Sequence, residues 1–206
     1  MSNTLDAIIY DAEIKKAILG RNEQPLEGIE YCEGFHDFPA MGISCMGAYD
    51  YKEDRTRLFM GDNMEEFLLL RASRLILITF NGLGFDDKLI AATFPNQPAR
   101  QVPAMHYDIL VEVWAAAGLE PTFNFRTHGG YGLDALAAAN GLGNKTGHGA
   151  KAPVDYQQKR YGSLIDYCLQ DIALTKKLFD KIIAEGTLVC PKTGGKLTLR
   201  QPGAAA

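Results

Sequence analysis

Between residues 164 and 179 the apolar positions recur in steps of three and four. Leu164, Cys168, Leu174 and Leu178 share one helical face with Thr175, and Asp171 is set among them. Tyr167 stands four residues before Asp171, so a phenol and a carboxylate project the same way, one turn apart. Two shorter runs have no such period. Ala7-Ile8-Ile9-Tyr10 is continuously apolar and partly β-branched, the pattern of a buried strand, and it leads into Asp11 and Glu13. Two residues apart on a strand, these acids leave the same face, about 7 Å from each other. Residues 75–80 form a second such run, followed by the turn Asn81-Gly82-Leu83-Gly84, then Phe85 and Asp86. Acids beside apolar strands are costly unless a cation meets them.

The remaining pattern fills in the chain. Residues 41–50 and 56–60 read as strands. Residues 63–73 read as a helix capped by Asn63, with Glu65 and Glu66 in its first turn. Residues 85–94 read as a helix that stops before Pro95, and 95–104 as a loop with three prolines. Residues 105–118 run from a short extended piece into a helix ended by Gly118, and 133–140 form another, ended by Gly141. Asp108 is placed to cap the first of these two helices. Residues 141–160 read as a glycine-bearing basic loop, with Lys145, Lys151, Lys159 and Arg160 against one acid, Asp155. Residues 188–199 read as a hairpin with a Gly-Gly turn. The 14–40 connection is long for two successive strands, and long connections are often functional.

Composition changes this picture little. With 206 residues, one main domain is expected over 1–187, with the long insertion at about 14–40, then a C-terminal hairpin and tail over 188–206. The start has no basic region followed by an apolar run, so no signal peptide is expected. No window reaches the length of a membrane span. Four scattered cysteines without a C-x-x-C pair suggest reduced thiols and a cytoplasmic location. The net charge of −4 speaks against a phosphate backbone as partner. Four site carboxylates account for all of it, and two divalent cations would cancel it.

Asp11-Ala12-Glu13, then Asn81-Gly82-Leu83-Gly84-Phe85-Asp86, then Tyr167-Cys168-Leu169-Gln170-Asp171 resemble, in order, the motifs of the DEDD superfamily of 3′–5′ exonucleases. Tyrosine in the last motif points to the tyrosine branch, which includes the proofreading domains of family B DNA polymerases. The resemblance spans roughly residues 5 to 185. It implies an α/β, ribonuclease-H-like mixed sheet: three antiparallel strands, then parallel strands, flanked by helices. It implies two Mg2+ or Mn2+ ions, with Asp11 bridging both, Glu13 and Asp171 completing one site and Asp86 holding the other. Phe85 sets the register that selects Asp86 over Asp87. Tyr167 would orient the attacking water. Asn81, Phe85, Lys145, His148 and Lys151 would contact the substrate, since a basic loop commonly precedes the last motif. Ile14 stands where the family usually has threonine, which changes the expected contacts to a terminal nucleotide.

The expected activity is therefore hydrolysis of phosphodiester bonds from the 3′ ends of single-stranded nucleic acid, DNA favoured over RNA, to nucleoside 5′-monophosphates. A separate replication or repair protein is an expected partner; a membrane is not. The alternatives are a ribonuclease-H-like endonuclease with the same acids, or a catalytically silent nucleic-acid-binding domain. The four histidines lack H-x-x-x-H or E-x-x-H spacing, which excludes a common zinc enzyme. Cys190-Pro191-Lys192-Thr193 has threonine where a zinc ribbon needs its second cysteine. Residues 141–146 lack the glycine before Lys145 that a P-loop requires.

Overall fold

The apolar run at residues 7–10 becomes the middle of a sheet because it can bury both of its faces. The computed structural model describes residues 5–97, 105–145, 147 and 149–202. Strand β1 (Ala7–Ile14) is followed by two two-residue strands, β2 (Ala17–Ile18) and β3 (Tyr31–Cys32), and a short helix α1 (Phe38–Met41). Then come β4 (Ile43–Asp50), β5 (Arg55–Phe59), α2 (Met64–Ser73), β6 (Ile76–Thr79), α3 (Asp86–Thr93), β7 (Met105–Asp108) and α4 (Ile109–Ala116). The chain closes with α5 (Leu133–Ala139), α6 (Ala152–Gln157), α7 (Tyr161–Glu185), β8 (Thr187–Val189) and β9 (Lys196–Thr198).

The main sheet has the order β5-β4-β1-β6-β7. β1, β4 and β5 pair antiparallel, and β6 and β7 add to β1 in parallel. This is the expected mixed sheet flanked by helices. Alternation along β1 divides its side chains between two cores. Ile8, Tyr10 and Ala12 join Phe59, Phe67 and Leu89 under α2 and α3. Ala7 and Ile9 join Tyr107, Val113, Leu136 and Phe179 under α4, α5 and α7. Asp11 and Glu13 continue the second row, toward α7. The β8–β9 hairpin is no loose tail: Leu188, Cys190 and Leu197 are buried in the same core as α7.

Some local expectations need correcting. The long helix runs past its 164–179 core at both ends. Asn63 does not cap α2 with its side chain; its Oδ1 accepts the Met60 N–H at 2.6 Å and stabilises a 3-10 turn over Gly61–Asn63. The 141–160 stretch is not all loop, because Ala152 and Pro153 are buried and start α6. The 14–40 insertion is sewn to α6 chiefly through Gln157. Gln157 accepts the Glu30 N–H at 2.7 Å and donates to the Lys15 and Glu30 carbonyls at 2.9 and 3.0 Å. All four cysteines are buried and unbridged. Among the described residues, no helix is long and apolar enough to cross a membrane.

Candidate active site

Close approach of α7 to β1 creates the site. Gly47 on β4 pairs directly with Asp11. A Cβ there would lie 2.7 Å from Ile172 Cγ1 and 2.8 Å from Cys168 Sγ. Its hydrogen therefore leaves the space into which α7 packs. The same helix carries Tyr167 and Asp171, so the missing side chain at 47 brings the last motif over the first.

The acids from the three motifs converge there. Asp11 keeps an edge of solvent contact, while Glu13, Asp86 and Asp171 are buried. Asp11, Glu13 and Cys168 each place one ligand atom within 4.8 Å of the others, close enough to hold a metal ion together. Asp86 starts α3, and its Oδ1 accepts the Ala12 N–H at 2.8 Å, between the two acids of β1. Asp171 Oδ2 lies 2.5 Å from Lys145 Nζ, while its Oδ1 is buried without a hydrogen-bond partner. Buried polar atoms are nearly always satisfied. An orphaned carboxylate oxygen beside a largely oxygen donor set fits a hard divalent cation.

Electrostatics agree with that fit. Burial pushes the Asp11 carboxyl well above its ordinary range, and the carboxylates of Asp86 and Asp171 push it further. Burial does the same to Glu13, with Asp11 next. Asp86 is pushed up to about 7 by burial, although the Ala12 N–H opposes the shift. Asp171 is also raised by burial, against the pull of Lys145. Without cations the cluster resists full ionisation.

Lys145 occupies the centre of this charge. Its ammonium donates to the Tyr167 hydroxyl at 2.8 Å and lies 4.7 Å from the centre of that ring, besides pairing with Asp171. Burial first, then Asp171, Glu13 and Asp11, raise the Tyr167 phenol, so it stays protonated. Gly147 and Gly149 lie close to the Tyr167 side chain. A Cβ on Gly147 would meet Tyr167 Cδ2 at 2.8 Å. Behind the ring is a cavity of about 210 Å3 lined by Gly147, Lys151, Asp155, Ser163, Asp166 and Gln170. Arg160 donates to Asp155 at 2.7 Å, while Lys151 and Lys159 are exposed. His148 lies outside the described residues.

No protein-family model matches the sequence, and no curated protein matches it. The structure is similar to that of the family B DNA polymerase from the hyperthermophilic archaeon Pyrobaculum calidifontis, with a TM-score of 0.57 and 14% identity. The match covers 85% of this chain and 24% of that one, so this chain spans about a quarter of the polymerase. The fold is ribonuclease-H-like.

Within this ribonuclease-H-like frame the other expected residues divide. Asn81 adopts a left-handed backbone, φ 68°, and its carbonyl accepts the N–H groups of Gly84 and Phe85 at 3.1 and 2.9 Å, which shapes the turn into α3. Phe85 stacks edge-on against Phe38 of the insertion, ring centres 5.7 Å apart. Asp87 points away from the acids, toward Tyr10, Arg71 and His106. Asp108 caps α4 through the Leu110 N–H at 3.1 Å, as its position predicts. It also accepts the N–H groups of Asn81 and Leu83 at 2.8 and 3.0 Å, so it holds the turn that presents Asp86. Lys145, expected as a substrate contact, instead pairs with Asp171 and Tyr167, and Gly47, whose missing side chain admits α7, carries no signal in the pattern of its strand. A larger cavity of about 750 Å3 opens at residues 118–128, beside Phe123 and Phe125, and none of the expected site residues lines it.

Proposed function

We propose that this chain is a metal-dependent 3′–5′ exonuclease. It hydrolyses phosphodiester bonds of single-stranded nucleic acid, DNA in preference to RNA, and releases nucleoside 5′-monophosphates. The observation that carries the reading is the convergence of Asp11 with the buried Glu13, Asp86 and Asp171 from three separate motifs, with one oxygen of Asp171 unpartnered. The ribonuclease-H-like fold supports it.

Asp11, Glu13, Asp86 and Asp171 would hold the metal. Divalent ions, when bound, supply a nucleophilic water near neutral pH and offset charge on the departing oxygen. The chain's own residues do the rest. Tyr167 keeps its proton and so orients rather than deprotonates. Lys145 fixes the phenol and adds a positive charge facing the cluster. Lys151, Asn81 and Phe85 would contact the substrate. A separate replication or repair protein would deliver the 3′ end.

Asp11→Asn and Tyr167→Phe test these roles on an end-labelled strand with Mg2+ or Mn2+. Asp11→Asn should be inactive while folded, and chelator should abolish wild-type hydrolysis. Tyr167→Phe should slow turnover by roughly 10²–10⁴-fold, the usual contribution of a positioned proton-handling group, at nearly constant melting temperature. Full activity in chelator refutes the metal role; a wild-type rate for Tyr167→Phe removes the phenol from the mechanism.

A further inference from the structure

The face of β1 away from the acids carries a second polar cluster. Tyr10 Oη donates to Asp87 Oδ1 at 2.6 Å, and Arg71 Nη2 donates to the same oxygen at 3.0 Å. His106 Nδ1 lies 3.0 Å from Asp87 Oδ2, and its Nε2 lies 2.9 Å from Thr79 Oγ1. The Arg71 guanidinium also sits over the Tyr10 ring, 5.3 Å from its centre. β1, α2 and β7 thus meet on one carboxylate in the first turn of α3, and β6 joins through the Thr79–His106 contact. Such a network is costly to bury and worthwhile only when satisfied. Tyr10, Arg71 and His106 thus clamp the Asp87 carboxylate from three elements.

Its place in the chain gives the clamp a consequence. Tyr10 immediately precedes Asp11, and Asp87 immediately follows Asp86. On the acid side, Asp86 accepts the Ala12 N–H. The start of α3 is therefore tied to β1 at two points, by the Tyr10 hydroxyl and by the Ala12 backbone N–H. We propose that Asp87 is a positioning residue for the metal centre: held by Tyr10, Arg71 and His106, it fixes the first turn of α3 and so the distance of Asp86 from Asp11. The proposal rests on the nuclease reading above. Nothing in the motif resemblance requires it, since there Asp87 was only the rejected alternative to Asp86.

Binding of Mn2+, followed by loss of the free-ion paramagnetic resonance signal, tests it without reference to activity. Asp87→Asn keeps the shape of the side chain and removes its charge; Tyr10→Phe removes one donor. Partners behind metal ligands typically change affinity by about 10–100-fold. Asp87→Asn should weaken Mn2+ binding by that amount and Tyr10→Phe by less, while both fold. Val113→Ala, in the core under α4, is a destabilised control that should keep wild-type affinity. If Asp87→Asn does not fold, Tyr10→Phe and His106→Gln decide. Wild-type affinity in the folded variants overturns the positioning role alone. A wild-type protein that binds no Mn2+ overturns the nuclease reading, and this inference with it.

Discussion

A carboxylate buried among others needs a cation, and the Lys145 ammonium partly serves, 2.5 Å from Asp171. It cannot serve all four. Asp11, Glu13, Asp86 and Asp171 all have raised carboxyl pKa values, with burial the first cause, and Asp86 reaches about 7. Unfolded carboxyls release their protons near pH 4. From about pH 4 to 7 the folded chain therefore binds more protons than the unfolded chain, and stability falls as pH rises through that window. Asp50 and Asp87 are lowered instead, so their contribution is lost only under more acidic conditions. In chelator the melting temperature should be higher at pH 5 than at pH 8. Mg2+ or Mn2+ should raise it more at pH 8, because the ions bind the ionised carboxylates. A melting temperature that rises from pH 5 to 8 in chelator, with no cation effect, contradicts this electrostatic account.

At the scale of elements, the site depends on how near α7 lies to β4 and β1. Gly47→Ala places a methyl group against Ile172 and Cys168 at distances that real contacts do not show. Overpacking of this kind costs about 1–3 kcal/mol. The helix must shift, and Asp171 and Tyr167 move with it. Gly47→Ala should lower both the melting temperature and Mn2+ affinity, and adding Cys168→Ala should recover part of each by opening the space again. Unchanged affinity in Gly47→Ala would show that the helix position is not what assembles the acids. The elements themselves were readable to different degrees. Apolar runs at 7–10 and 75–80 marked the central strands because both of their faces are buried. The period over residues 164–179 marked α7 and the face that carries Asp171. The six-residue α6 has too short a period to see, and its start depends on burying Ala152 and Pro153. The turn of Lys145 toward Asp171 was equally hidden, since it depends on a loop packed against the Tyr167 ring.

Over the whole molecule, the net charge of −4 and the fold belong together. The acids of the cluster carry the excess, and they gather where the parallel strands β1 and β6 run out. Ligands of open α/β sheets commonly bind at such strand ends. The chain corresponds in fold to about a quarter of a polymerase, and the polymerase's own activity does not transfer with that quarter. The proposed activity is tested by direction and product. The deciding measurement compares single strands labelled at the 3′ end with the same strands labelled at the 5′ end, incubated with Mg2+ and resolved by length. The account predicts immediate release of labelled mononucleotide from the 3′ label and a ladder shortening one nucleotide at a time from the 5′ label, both absent in Asp11→Asn. Internal fragments from both labels, or intact strands with every divalent ion, would contradict it.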